Sequence, residues 1–129
     1  MITNWAANLV YGTSALYEPS SMEDIRGWVR DHPHFKVLGT RHCFNDIADS
    51  RDRFLSLGKL NTVIALDRIG MTVTVEAGIR YGELAVFLND HGYALHNLAS
   101  LPHISVAGGC ATATHGSGVR HGNLSSAVV

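Results

Sequence analysis

Residues 37–46 read VLGTRHCFND. Phe35, Lys36, Val37 and Leu38 form an apolar run that reads as a buried strand ending at Gly39. A hydroxyl, an arginine, a histidine, a thiol and an aromatic ring follow, and Asn45 and Asp46 close the stretch as turn formers. A glycine at a strand end frees the backbone to turn successive N–H groups toward one concavity, and such nests bind anions without a lysine. The stretch therefore reads as a strand delivering a loop that carries chemistry, and the fold is read outward from it.

Toward the N-terminus, Pro33 ends a helix predicted over residues 21–31. Ser21 offers its N-cap, with Asp24 three residues on, and Met22, Ile25 and Val29 share one face. Residues 3–11 are a short aromatic and amide-rich lead-in. Toward the C-terminus, residues 54–57 predict a second short strand. Residues 63–66 and 72–76 predict two more, joined by DRIG as a hairpin, with Val73 and Val75 alternating against Thr72, Thr74 and Glu76. Tyr81, Leu84, Ala85 and Leu88 recur at helical spacing, so a helix is predicted over 81–91, with Gly92 at its C-cap. The order is not a clean βαβα alternation, and it implies an α+β arrangement with helices packed on small mixed sheets.

After Asn97 the composition shifts. ASLPHISVAGGCATATHGSGVRHG is rich in Gly, Ala, Ser, Thr and His and nearly free of charge. Small residues over such a span let the backbone approach something closely, either a helix or a ligand. A helix N-terminus near Ser105 is expected to add to an anion site there, and two glycine-bearing loops facing each other are expected to hold a pyrophosphate. Neither GTRH nor SVAGGCATATHGSG is a P-loop or a G-x-G-x-x-G after a first strand. The chain ends in GNLSSAVV, read as the start of a strand, and the chain is expected to be a fragment of a longer protein with no internal domain boundary.

Composition narrows the classes. The 129 residues suit one domain, with 46% hydrophobic and 16% charged residues. Ten Lys and Arg against eleven Asp and Glu leave a net charge of −1, with no basic stripe for nucleic acid. No apolar run reaches membrane-spanning length, and the N-terminus lacks secretory-signal character, so no membrane partner and a cytoplasmic setting are expected. Cys43 and Cys110 do not make a disulfide scaffold. His42 is open to three readings: a surface loop histidine, a metal ligand with Cys43, or a nucleophile that carries a cofactor. Adjacent side chains on extended backbone point apart, which disfavours a metal, and none is expected.

VLGTRHCFNDIA resembles the G-x-G-H-S-x-x-x-I loop of flavoproteins related to vanillyl-alcohol oxidase, and NLASLPHISVAGGCATATHGSG resembles their second pyrophosphate segment. The resemblance extends through TNWAANLVYG, AGIRYGELAVFLNDHGYAL and GNLSSAVV, and so covers the whole chain. It is nearest to the alditol (xylitol) oxidases, with sugar-1,4-lactone oxidases as relatives. It implies a PCMH-type FAD-binding domain over residues 1–129, lacking the substrate (cap) domain. It implies FAD bound covalently through its 8α-methyl to His42. Val37, Leu38, Gly39, Thr40, Arg41, His42 and Cys43 would line one side of the cofactor, and Ser100, Ser105, Gly108, Thr112, Ala113, Thr114 and His115 the other.

The implied reaction oxidises the primary alcohol of a polyol, or a lactol carbon, with hydride passing to flavin N5 and O2 reduced to H2O2. A small residue at Ala99 would leave room for O2. The proton acceptor and the polyol-binding residues belong to the family's cap domain, so no catalytic residue is assigned in this chain. Two positions depart from the family pattern, which has Gly at Arg41 and Ser at Cys43. A non-catalytic FAD-binding module and a histidine-rich metal domain are the competing classes.

Overall fold

The computed structural model describes residues 1–129, which divide into two compact units, Met1–Leu60 and Asn61–Val129. The sequence shows no boundary because the division falls in a short turn, where Leu60 N–H donates to Leu57 O at 2.9 Å, with no shift in composition.

In Met1–Leu60 the elements are β1 (Leu16–Tyr17), α1 (Met22–Asp31), β2 (Lys36–Val37) and β3 (Phe54–Leu55). The three strands form a parallel sheet in the order β1-β3-β2, with Phe54 opposite Leu16 and Lys36, and Leu55 opposite Tyr17 and Val37. Central β3 is paired on both edges and buried, as strands of parallel sheets are. Its Phe54 packs with Tyr11 and Leu38, and Ile2 closes the cluster. α1 starts as expected: Ser21 Oγ accepts from Asp24 N–H at 3.0 Å. The strand expected as buried over 35–38 is corrected. Lys36 and Val37 form an exposed edge, and burial begins only at Leu38, whose N–H reaches Leu55 O at 2.8 Å. β1 has only two residues, too few for a period-2 pattern to reveal it.

In Asn61–Val129, β4 (Val63–Asp67) and β5 (Thr72–Val75) make the expected antiparallel hairpin, with an irregularity between Val63 and Ala65. Asp67 Oδ1 accepts from Ile69 and Gly70 N–H, both at 2.9 Å, and these bonds, Gly70's first, hold its carboxyl below the usual range. α2 (Tyr81–Asp90) lays Leu84 and Leu88 with Ile79 against Val63, Leu66, Val73 and Val75. Gly92 follows with φ +80°, which suits glycine. α3 (Val106–Ala111) comes next.

The strand expected in GNLSSAVV is absent. Leu124–Ala127 is a single 3-10 turn, because Asn123 Oδ1 accepts from Ser126 N–H at 3.1 Å and Ser126 Oγ donates back to Asn123 O at 2.7 Å. No helix is long and apolar enough to cross a membrane.

Candidate functional site

The first loop takes its shape from the N-terminal hairpin of the same unit. Thr3 and Val10 bridge, and Tyr11 N–H donates to Ile2 O at 2.9 Å. From this hairpin, Trp5 N–H donates to Arg41 O at 2.7 Å and Asn4 Nδ2 donates to Cys43 O at 2.9 Å. Two carbonyls of the loop are thereby tied back. The amides of Gly39, Thr40, Arg41 and Cys43 donate no hydrogen bond within the chain. Several undonated backbone N–H groups close together in a turn suit an anion-binding loop.

Arg41 has φ +64°, the left-handed region that favours glycine. An L-residue there is disfavoured by about 1–2 kcal/mol. Its guanidinium donates to Thr3 O at 3.1 Å, so the departure from glycine strains the turn but adds a tie to the hairpin. The His42 ring is half-buried, 4.8 Å from the Trp5 ring and edge-on to Phe44 at 5.2 Å. Val37 and Gly39 are exposed, Leu38 lies in the core, and Thr40 and Cys43 are half-buried. Beneath the loop, the buried Tyr11 hydroxyl has no hydrogen-bond partner in the chain. Burial raises its pKa above 10.0, as do Cys43 and Asp49, while Arg41 opposes them.

The second segment is stitched to the start of α2. Gly82 N–H donates to Pro102 O, Tyr81 N–H to Ile104 O, Val106 N–H to Ile79 O and Ala107 N–H to Ala77 O, at 2.8–2.9 Å. Gly82 permits the approach, since a Cβ there would stand 2.7 Å from Pro102 Cβ. The expectation of an open helix N-terminus at Ser105 is corrected. Buried Ser105 is the N-cap of α3: its Oγ accepts from Gly108 N–H at 3.2 Å and its carbonyl from Gly109 N–H at 2.9 Å. With Val106 and Ala107 bonded to Ile79 and Ala77, the three orphan amides inside α3, those of Val106, Ala107 and Gly108, are consumed inside the unit.

The C-terminal end of α3 is equally closed. Thr114 N–H donates to Gly109 O and Ala113 N–H to Cys110 O, with Ala113 at φ +51°, a Schellman ending built on alanine instead of glycine. Around this closed helix the segment presents side chains, and farther out the amides of Ser100, Leu101, His115 and Gly116 donate no hydrogen bond within the chain. Thr112 Oγ1 donates to Gly108 O at 2.9 Å, so the 3.0 Å contact between the two threonine hydroxyls is donated by Thr114. Thr112, Ala113, His115 and Ser100 are exposed, and Thr114 and Ala99 are half-buried. His115 Nδ1–H donates to Gly116 O at 3.0 Å. Tyr81 Oη meets Cys110 Sγ at 3.6 Å; burial first, then this contact, pushes the phenol well above 10.0. Both cysteines are free thiols, and no group of three His, Cys, Asp or Glu side chains is placed to hold a metal ion.

Sequence reasoning missed Asn4 and Trp5 as parts of the first loop. The available signal was the density of amides and the lone tryptophan in TNWAAN, a run with no amphipathic period to account for it.

The sequence profile of the FAD binding domain family matches residues 13–129. Along 98% of its length the chain is 42% identical to the alditol oxidase of Streptomyces sp. (strain IKD472 / FERM P-14339) and 34% identical to the L-gulonolactone oxidase of Mus musculus. It spans only 31% and 30% of those two proteins. The crystal structure of cholesterol oxidase from B. sterolicum superposes with a TM-score of 0.74 at 20% identity, over 89% of this chain and 24% of that one. The expected PCMH-type α+β fold, small sheets packed with helices, is borne out. The chain belongs to the FAD binding domain family.

Proposed function

We propose that the protein containing this chain is an FAD-dependent oxidase acting on the primary alcohol of a polyol such as xylitol or sorbitol, and that the chain is the N-terminal part of its FAD-binding domain. The observation that carries the substrate class is the 42% identity to an alditol oxidase along 98% of the chain. FAD bound there would supply the hydride acceptor for the alcohol carbon and the route for the electron pair to O2, with H2O2 as the product.

The residues present fit that cofactor. The undonated amides of Gly39, Thr40, Arg41 and Cys43 suit a pyrophosphate, and the Arg41 guanidinium adds positive charge at the same turn. We assign His42 as the residue that holds the flavin covalently, because its imidazole stands on that loop. Val37 and Leu38 bring the loop out of the sheet. In the second segment, Ser105 and Gly108 act by shaping the backbone, since their cap hydrogen bond occupies both. Thr112, Thr114, Ser100 and His115 offer side chains, and hydroxyls can rotate to donate. Ala113 and Ala99 keep that surface low. No carboxylate in the chain is assigned as a base, and the polyol-binding residues are placed in the rest of the protein.

A second reading, oxidation of a sugar-1,4-lactone, is favoured by the 34% identity to L-gulonolactone oxidase over the same 98%. Peroxide release by the full-length protein separates the two. Xylitol and sorbitol are expected to give H2O2 at a higher kcat/KM than L-gulono-1,4-lactone. A preference for the lactone would replace the polyol reading, and absence of bound FAD would overturn both.

A further inference from the structure

We propose that Asn4 and Trp5 are positioning residues that aim His42 for its attachment to FAD; this rests on the reading of His42 given above. His42 stands between two residues whose carbonyls are both held by the N-terminal hairpin. Arg41 O accepts from Trp5 N–H at 2.7 Å and Cys43 O accepts from Asn4 Nδ2 at 2.9 Å. The carbonyls of the two residues that flank the histidine are therefore both anchored to one dipeptide near the start of the chain. The imidazole packs on the Trp5 indole at 4.8 Å with a 55° tilt, so the same dipeptide fixes backbone and ring together.

Asn4 is built for this role. It is 2% exposed and its amide is fully committed: Nδ2 also donates to Asn8 Oδ1 at 2.7 Å, and Oδ1 accepts from Asn8 and Leu9 N–H, both at 3.1 Å. Those three bonds orient the carboxamide so that its remaining N–H faces Cys43 O. The loop needs such support, because Arg41 holds a left-handed backbone without being glycine, and its guanidinium adds a third tie at Thr3 O.

Attachment joins a ring nitrogen of His42 to the 8α-carbon of FAD. One N–H and one C–H bond break, one N–C bond forms, and two protons with an electron pair leave on O2 as H2O2. An imidazole with free rotamers meets that carbon rarely, whereas a ring held on Trp5 and anchored on both sides is pre-oriented.

The test uses the full-length protein, prepared without flavin and then supplied with FAD. Asn4→Asp keeps an oxygen for the Asn8 and Leu9 amides but removes the donor to Cys43. Trp5→Ala removes the ring contact, and Trp5→Phe restores an aromatic face. Three quantities are read: total flavin bound, flavin retained after acid precipitation as a function of time, and thermal unfolding. Asn4→Asp and Trp5→Ala are expected to bind FAD while attaching it at least about tenfold more slowly, with Trp5→Phe recovering much of the rate. Wild-type attachment rates in both variants would overturn the inference, as would loss of all flavin in parallel with stability, which marks a merely structural role. His42→Ala is the control for the underlying reading. If it abolishes acid-stable flavin, that reading stands whatever Asn4 and Trp5 do; if it keeps such flavin, the reading itself falls.

Discussion

Gly109→Ala is expected to destabilise Asn61–Val129, although alanine is the better helix former. Gly109 lies inside α3 and is buried. A Cβ there would stand 2.8 Å from Tyr81 Cε2 and 3.1 Å from Leu124 Cδ1. Carbon atoms pack best at about 3.5–4.0 Å, so the methyl overlaps the tyrosine edge by about 0.7 Å or more. Neither neighbour yields easily: Tyr81 is 5% exposed with its hydroxyl at Cys110 Sγ, and Leu124 is 3% exposed. Overpacking of this kind costs about 1–3 kcal/mol. The helix-propensity gain from glycine to alanine returns about 1 kcal/mol. The expected net loss is therefore about 1 kcal/mol. Chemical denaturation followed by circular dichroism measures it, and a double-mutant cycle with Tyr81→Leu isolates the clash. With the ring gone, Gly109→Ala should become stabilising by roughly its propensity term, giving a coupling of about 2 kcal/mol. A coupling below about 0.5 kcal/mol, the scatter expected of independent sites, would refute the packing role of this glycine. It would return Gly109 to the other reading of the small-residue run, close approach to a ligand.

Two further outcomes follow from the same unit and its neighbour. Ala113→Gly should stabilise the protein by a fraction of a kcal/mol up to about 1, because the Schellman position at φ +51° suits glycine, less the extra unfolded-chain entropy of glycine; a melting temperature lowered by the change would contradict the left-handed conformation. The stability contributed by the Tyr81 and Tyr11 phenols should be present below about pH 10 and be lost as pH rises above it. The Tyr81 and Tyr11 phenols are both raised above 10.0 when folded, so the unfolded chain ionises first and the folded state loses ground as pH rises. Each contributes a slope of up to about 1.4 kcal/mol per pH unit, and Tyr81→Phe should remove its share of the decline measured by denaturation between pH 9 and 12.

Much of the local structure is legible without coordinates because its causes are local. Ser21 caps α1 through a residue three positions away, α2 shows its apolar stripe within ten residues, and Asp67 closes its hairpin with the two amides just beyond it. The two loops were legible as places of close backbone approach, and their resemblance to flavoprotein segments pointed to the family that the comparisons establish.

What those loops present to their surroundings was decided elsewhere in the chain. Whether an amide is open or consumed depends on a partner that no short window contains. The amides of Val106 and Ala107 end on Ile79 and Ala77, so the apparent helix N-terminus is sealed. The carbonyl of Cys43 ends on Asn4, 39 residues away, while the amides of Gly39, Thr40, Arg41 and Cys43 donate to nothing in the chain. By itself the sequence determined which segments turn, cap and carry small residues, because those preferences belong to each residue and its nearest neighbours. Only the tertiary structure decided which polar groups are already satisfied, because a hydrogen bond between distant segments exists only once packing has brought them together.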